Sequence, residues 1–247
     1  MAALSLPRPG LLHEPWSLSP NVTAPSNHTS RPDRGTLATK WSTSTVTVGA
    51  GSVGAGSVGA GSVGAGSVAR PRENRRVEIR PATADDVERI ARVDVLARQA
   101  GYQGLLPQHL LDGLRAADQV PKWTAAVREA AWPHRGTLVA VVSGDVVGFV
   151  SVRPAEDDDP GVAGMGEISS FHVLPALWSH GIGRCLMVAA TATMAVAGHP
   201  SALLWVVQTN IRAIRFYTHR GWRPDGATRD DVVDHVTLRL RYRRELR

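Results

Sequence analysis

A β-like run from Glu167 to Val173 leads into Trp178-Ser-His-Gly-Ile-Gly-Arg184 and then into an apolar, alanine-rich stretch beginning near Ile182. Strand, glycine turn and helix in this order constrain the chain more than any other segment. Such a turn is built to hold phosphate. The first amides of the helix have no partner within it, and the helix dipole adds positive potential. Gly181 and Gly183 let an anion approach the backbone closely, and Ser179, His180 and Arg184 add polarity nearby.

A lone Gly-x-Gly says little by itself. A further strand-like run, Ala202 to Val207, is followed by Asn210-x-x-Ala213-x-x-Phe216-Tyr217-x-x-x-Gly221-Trp222. The two segments together, in this order, resemble the GNAT superfamily of acetyl-CoA-dependent N-acetyltransferases, and the resemblance runs from about Val77 to Arg244. The family's first segment reads Arg/Gln-x-x-Gly-x-Gly/Ala and wraps the coenzyme pyrophosphate. Here Trp178 takes the Arg/Gln position, and Trp222 replaces the usual Phe of the second segment.

The resemblance implies an α/β (α+β) fold: a mixed, mainly antiparallel sheet flanked by helices on both faces. It implies acetyl-CoA as cosubstrate, held by Trp178, Ser179, His180, Gly181, Ile182, Gly183 and Arg184, by the backbone of Phe171, His172 and Val173, and by Asn210. Tyr217 is the implied general acid, its hydroxyl near the thioester sulfur, or else a core aromatic with a rim hydroxyl. Arg212 and Arg215 are either within reach of the coenzyme phosphates or solvated helix positions. A backbone N-H near Phe171 to Val173 would stabilise the oxyanion, and the pantetheine arm would pair there as an added strand.

An alkylammonium titrates near pH 10, so acetyl transfer to an amine at neutral pH needs a base. Glu167, at the start of the strand entering the phosphate turn, is the candidate, against the alternative of a strand-end Glu in water. Strict alternation puts Glu167 on the face of Ser169, Phe171 and Val173, and His172 on the opposite face as a structural residue. The function expected is transfer of an acetyl group to a primary amine by direct attack in a ternary complex. The alternative is a catalytically silent acyl-CoA-binding sensor or interaction module.

Composition narrows the partners. Eight bases and three acids precede Val77, which leaves 20 bases and 19 acids from there on, so the net charge of +6 belongs mostly to the tail. Its arginines are sparse and lack aromatic interleaving, and no nucleic-acid partner is expected. The expected acceptor is a small-molecule or peptide amine, and the fold leaves room for a homodimer. Cys185, the single cysteine, lies in an apolar helix and reads as a buried small residue. The nine histidines are scattered, and no metal is expected. No run approaches the roughly 20 apolar residues of a membrane span. The first 20 residues hold four prolines rather than an apolar core, so the expected location is cytoplasmic. Asn21 and Asn27 match the glycosylation pattern by chance on this reading.

Residues 1–76 are rich in Ser, Thr, Pro and Gly and carry four Val-Gly-Ala-Gly-Ser copies from Val48 to Ser67. Such a segment buries too little apolar surface to order itself, so it is expected to be a disordered tail ahead of one domain, 77–247. In that domain Val77 to Arg80 reads as a strand, and Val87, Ile90, Val93 and Leu96 recur at helical steps after Thr83-Ala-Asp-Asp86. A second helical region runs from His109 into Ala130, interrupted near Pro121. Thr137 to Val142 and Val146 to Val152 form a hairpin, and alternation closes the sheet within Asp231 to Arg244. The acids Glu156 to Asp159 are either a solvated run or a lure for a cationic amine.

Overall fold

The computed structural model describes residues 44–47, 76–156, 159–232 and 236–246. The glycine-serine repeats, both Asn-x-Thr sites, Asp157 and Asp158 lie outside the described residues. Among the described residues eight strands form one sheet in the order β1-β2-β3-β4-β5-β6-β8-β7. They are β1 (Ser44–Thr47), β2 (Arg76–Pro81), β3 (Gly136–Val142), β4 (Asp145–Pro154), β5 (Gly166–Val173), β6 (Ser201–Val207), β7 (Arg223–Val232) and β8 (Val236–Glu245). All pairings are antiparallel except β5 with β6. Within the segment expected to be a tail, β1 pairs with β2, Ser44 opposite Ile79.

Among the described residues five α-helices accompany the sheet: α1 (Val87–Gly101), α2 (Gln108–Gly113), α3 (Ala116–Arg128), α4 (Ile182–Val196) and α5 (Ile211–Thr218). The expected mixed sheet with helices on both faces is what the chain adopts. On one face α1 and α3 bury Ile90, Val93 and Trp123 against Val139 and Phe149. On the other, α4 buries Leu186, Met187 and Met194 against Val150, Val152 and Ile168, with Ile214 and Phe216 of α5 alongside. The helix predicted after Thr83 begins where the Thr83 amide and hydroxyl donate to Asp86 Oδ2, at 2.8 and 3.0 Å, and Arg80 grips the same carboxylate at 2.7 and 2.9 Å.

Three expectations need correction. The break in the second helical region falls at Leu114 and Arg115, both extended, and α3 runs through Pro121. The C-terminal region holds two strands, because β7 is an edge strand without apolar alternation; Pro224 sits in it where the register with β8 slips before Thr228. The third concerns β5. Ser151 of β4 stands opposite Ser170, but the next residue, Val152, stands opposite Ile168, so Ser169 is an extra residue, a β-bulge. Cross-strand neighbours share a face. The bulge therefore puts Glu167 on the face of Ser170 and His172, with Phe171 and Val173 on the other, and overturns strict alternation.

Candidate active site

β5 and β6 pair only from Gly166 opposite Ala202 to Ile168 opposite Leu204. Beyond that point the parallel strands part, and two cavities meet in the opening: Ile168, Ser169, Ser170 and Trp205 line both. The larger is an open cleft of about 680 Å³ between the ends of β5 and β6, the start of α4, and α5. The smaller, about 110 Å³, lies on the α1/α3 face.

The glycine turn forms one end of the larger cleft. A short 3-10 turn, Pro175–Leu177, follows β5, and the Trp178 indole N-H returns to the Val173 carbonyl at 2.8 Å. The His180 ring nitrogen Nδ1 hydrogen-bonds the Trp178 carbonyl at 2.8 Å. Ser179 has φ +66 and Gly181, the residue preceding α4, φ +84, so the chain enters the helix through a left-handed conformation that favours glycine. Gly183 is small for a different reason. A Cβ there would stand 3.0 Å from Phe216 Cε2, so its space is taken by α5. Ile182 is buried in the core beneath the turn.

The Arg212 guanidinium lies 3.5 Å over the Trp178 ring. A cation is thereby delivered to the position at which the Trp replaces the polar residue of the first segment. Arg184, Arg212, Arg215 and Arg220 all border the cleft, a basic rim suited to phosphates, while Phe171, Val173, Leu177 and Phe216 give an apolar wall suited to a thioester arm. This donor set fits coenzyme A. The Asn210 carboxamide oxygen accepts the Ala213 amide at 3.0 Å and so caps α5.

Tyr217 lines the same cleft, its ring packed edge-on to Phe171, Phe216 and Trp222. Burial, with Tyr102 across the cleft adding to it, raises the pKa of this hydroxyl above the ordinary tyrosine value. The group stays protonated at neutral pH. Glu167 lines the smaller cavity and is 5 % exposed, which sets aside the reading of a strand-end Glu in water. Arg153 Nε donates to its Oε2 at 3.0 Å.

His172 points into the α1/α3 layer, its Nε2 3.7 Å from Asp94 Oδ1 and its ring against Phe149. Burial pushes its pKa down to about 4, against the pull of Asp94, so it is neutral at pH 7. Asp94 also accepts the Trp123 indole N-H at 3.1 Å. Cys185 is buried, and burial raises its thiol, as expected of an inert residue. Among the described residues no group of three His, Cys, Asp or Glu could hold a metal, and no helix is long and apolar enough to cross a membrane.

Sequence reasoning did not find the walls of the smaller cavity, Ser151, Ser170, Trp205, Arg229 and Arg239 among them. They come from five strands and meet only through register. A cross-strand pairing scheme was the one signal able to assemble them.

Comparison with known proteins agrees with this architecture. Residues 107–222 match the model of the acetyltransferase (GNAT) family. An uncharacterized N-acetyltransferase of Bacillus subtilis is 26% identical over 156 residues, 63% of this chain and 84% of that protein. Another, from Archaeoglobus fulgidus, is 32% identical over 147 residues, 60% of this chain and 93% of that protein. The crystal structure of PaiA N-acetyltransferase from Thermoplasma acidophilum, in complex with coenzyme A, superposes with a TM-score of 0.54 at 17% identity, covering 68% of this chain and 98% of that one. Since the archaeal relative is matched over nearly its whole length and the family model spans both the glycine turn and α5, the chain belongs to the GNAT family of acetyltransferases.

Proposed function

We propose that the protein transfers an acetyl group from acetyl-CoA to a primary amine by direct attack within a ternary complex. The observation that carries this reading is the opening between β5 and β6, where a cleft fitted to a phosphate-bearing thioester meets a second cavity walled by a buried carboxylate. PaiA N-acetyltransferase, a fold relative, holds coenzyme A in its crystal structure.

The first turn of α4 and the arginine rim bind the phosphates, and the backbone of Phe171 to Val173 pairs with the pantetheine arm and supplies the oxyanion donor. The coenzyme supplies an activated acetyl group as a thioester. Glu167, entering from the smaller cavity, takes the proton from the acceptor ammonium directly or through water, and Arg153 fixes its carboxylate through Oε2. Tyr217, protonated and at the cleft wall, donates to the departing sulfur.

The test is calorimetric titration of acetyl-CoA into the full chain, followed by thiol release with a panel of amines. Micromolar binding abolished by Gly181→Glu, and turnover lowered about 10²-fold or more by Tyr217→Phe and by Glu167→Gln, is the expected result. Tight binding without turnover on any amine would instead describe an acyl-CoA-binding module. A folded protein that binds no acetyl-CoA would end both readings.

A further inference from the structure

Glu167 is held by one oxygen. Arg153 Nε donates to its Oε2 at 3.0 Å, while among the described residues Oε1 accepts no hydrogen bond. The next residue on the same face, once the bulge at Ser169 is passed, is Ser170, and it lines both cavities.

The register of three strands accounts for the state of its hydroxyl. Thr137 of β3 stands opposite Ser151 of β4, and Ser151 stands opposite Ser170 of β5, so three hydroxyl side chains form one row along the wall of the smaller cavity. The first two satisfy each other, with Thr137 Oγ1 and Ser151 Oγ buried 2.8 Å apart. Ser170 ends the row, two residues beyond the last β5 residue paired with β6, and its hydroxyl has no hydrogen-bond partner among the described residues. A free carboxylate oxygen and a free hydroxyl thus share one face. Alternate residues on a strand face stand about 7 Å apart. A nitrogen hydrogen-bonded to both oxygens at about 2.9 Å spans most of that distance, and a glutamate side chain is long enough to make up the rest.

Resting on the acetyl-transfer reading, we propose that Ser170 positions the acceptor: its hydroxyl accepts an N-H of the amine and fixes the nitrogen between Glu167 Oε1 and the opening between β5 and β6. The nitrogen lone pair is thereby turned toward the thioester carbonyl. Ser170 forms no covalent bond and gives up no proton. Of the three ammonium protons, one passes to Glu167 and on to solvent. A second leaves through solvent as the C–N bond forms and the C–S bond breaks, and it balances the proton that Tyr217 gives to sulfur. The third stays as the amide N-H, and this is the one that Ser170 holds. A hydroxyl suits the task because it accepts from ammonium and neutral amine alike without adding charge.

The experiment compares Ser170→Ala, Ser170→Thr and Glu167→Gln with the parent full chain. It measures thiol release with a panel of alkylamines, amino acids and aminosugars, beside calorimetry with acetyl-CoA and thermal unfolding. On the best amine of the panel, Ser170→Ala is expected to lower kcat about ten-fold or more and to change KM for the amine less than about three-fold. Affinity for acetyl-CoA should stay within about two-fold and Tm within about 2 °C. Ser170→Thr, which keeps the hydroxyl, should recover most of the parent kcat. The loss in Glu167→Gln should shrink as pH rises toward about 10 and the amine loses its proton unaided, whereas the loss in Ser170→Ala should persist. An alanine variant as fast as the parent, a loss that threonine does not repair, or one that shrinks with pH as that of Glu167→Gln does would overturn the proposal. So would a loss matched by a lower Tm or weaker acetyl-CoA binding. All of these leave the acetyl-transfer reading standing. A parent that acetylates no amine of the panel would overturn that reading and this proposal with it.

Discussion

The guanidinium of Arg212 lies 3.5 Å over the indole of Trp178, which ties the start of α5 to the turn that precedes α4. One side chain thus holds a cation that the other position lacks. A cation–π contact at a partly exposed site contributes about 0.5–1 kcal/mol. Trp178→Ala and Arg212→Ala should each weaken acetyl-CoA binding, and a double-mutant cycle in calorimetry should give a coupling of that size. Strictly additive effects would mean that the stack contributes nothing to the site.

Gly183 and Gly181 are glycines for separable reasons, so their alanine variants should fail differently. A methyl at 183 would stand 3.0 Å from Phe216 Cε2 and 3.2 Å from Cζ, and Phe216 neighbours Tyr217 on α5. Overpacking of this kind costs about 1–3 kcal/mol, so Gly183→Ala should lower Tm by about 3–10 °C. Its kcat should fall more than its affinity for acetyl-CoA, because the displaced ring carries the neighbouring tyrosine with it. Gly181→Ala, strained at φ +84, should cost about 1 kcal/mol and act mainly on coenzyme affinity.

The walls of the larger cleft were readable in the sequence because they are local. The turn at 178–184 and the run from Asn210 to Trp222 are contiguous, and their chemistry belongs to backbone amides, a cap and one tyrosine. The fold class followed from the same segments. The other half depends on register. One extra residue, Ser169, reverses the facing of every side chain after it in β5, and neither it nor its serine neighbour announces a bulge. Trp205, Arg229 and Arg239 become neighbours only once β6, β8 and β7 are paired, and β7 itself shows no periodicity because it is exposed at the edge. Arg212 lay in a readable motif, but its stacking on Trp178 is a tertiary fact.

The buried acid-base groups should separate by pH. His172 is held near 4 by burial, packed among Asp94, Arg98 and Lys122, so between pH 6.5 and 4 the unfolded chain binds the proton that the folded one refuses. Stability from the neutral ring is therefore whole above pH 6.5 and lost as pH falls through that window. Asp86 behaves alike at lower pH. Burial opposes its charge, but Arg80 and Thr83 outweigh burial and hold it at about 2, so its contribution is whole above pH 3.8 and lost as pH falls toward 2. Urea midpoints measured from pH 7 to 4 should decline in the parent and flatten in His172→Gln. Parallel curves would show that another group sets the acid limb.

Glu156 offers a direct trial of what the acidic loop does. It was open to reading as a lure for cationic amines, yet its carboxylate meets Arg135 at 2.6 Å and Arg153 at 2.9 Å, both on the wall of the smaller cavity. Its charge is set against two arginines of that wall. If it serves to balance them, Glu156→Gln should make the wall more positive and lower KM for an acidic amine. Exposed ion pairs contribute up to about 1 kcal/mol, so the change should be about two- to five-fold, shrinking in 0.5 M salt. If the loop draws in cationic amines instead, the same variant should raise KM for them and leave acidic ones alone. Steady-state kinetics with one acidic and one dicationic amine distinguishes the two, because the shifts have opposite signs.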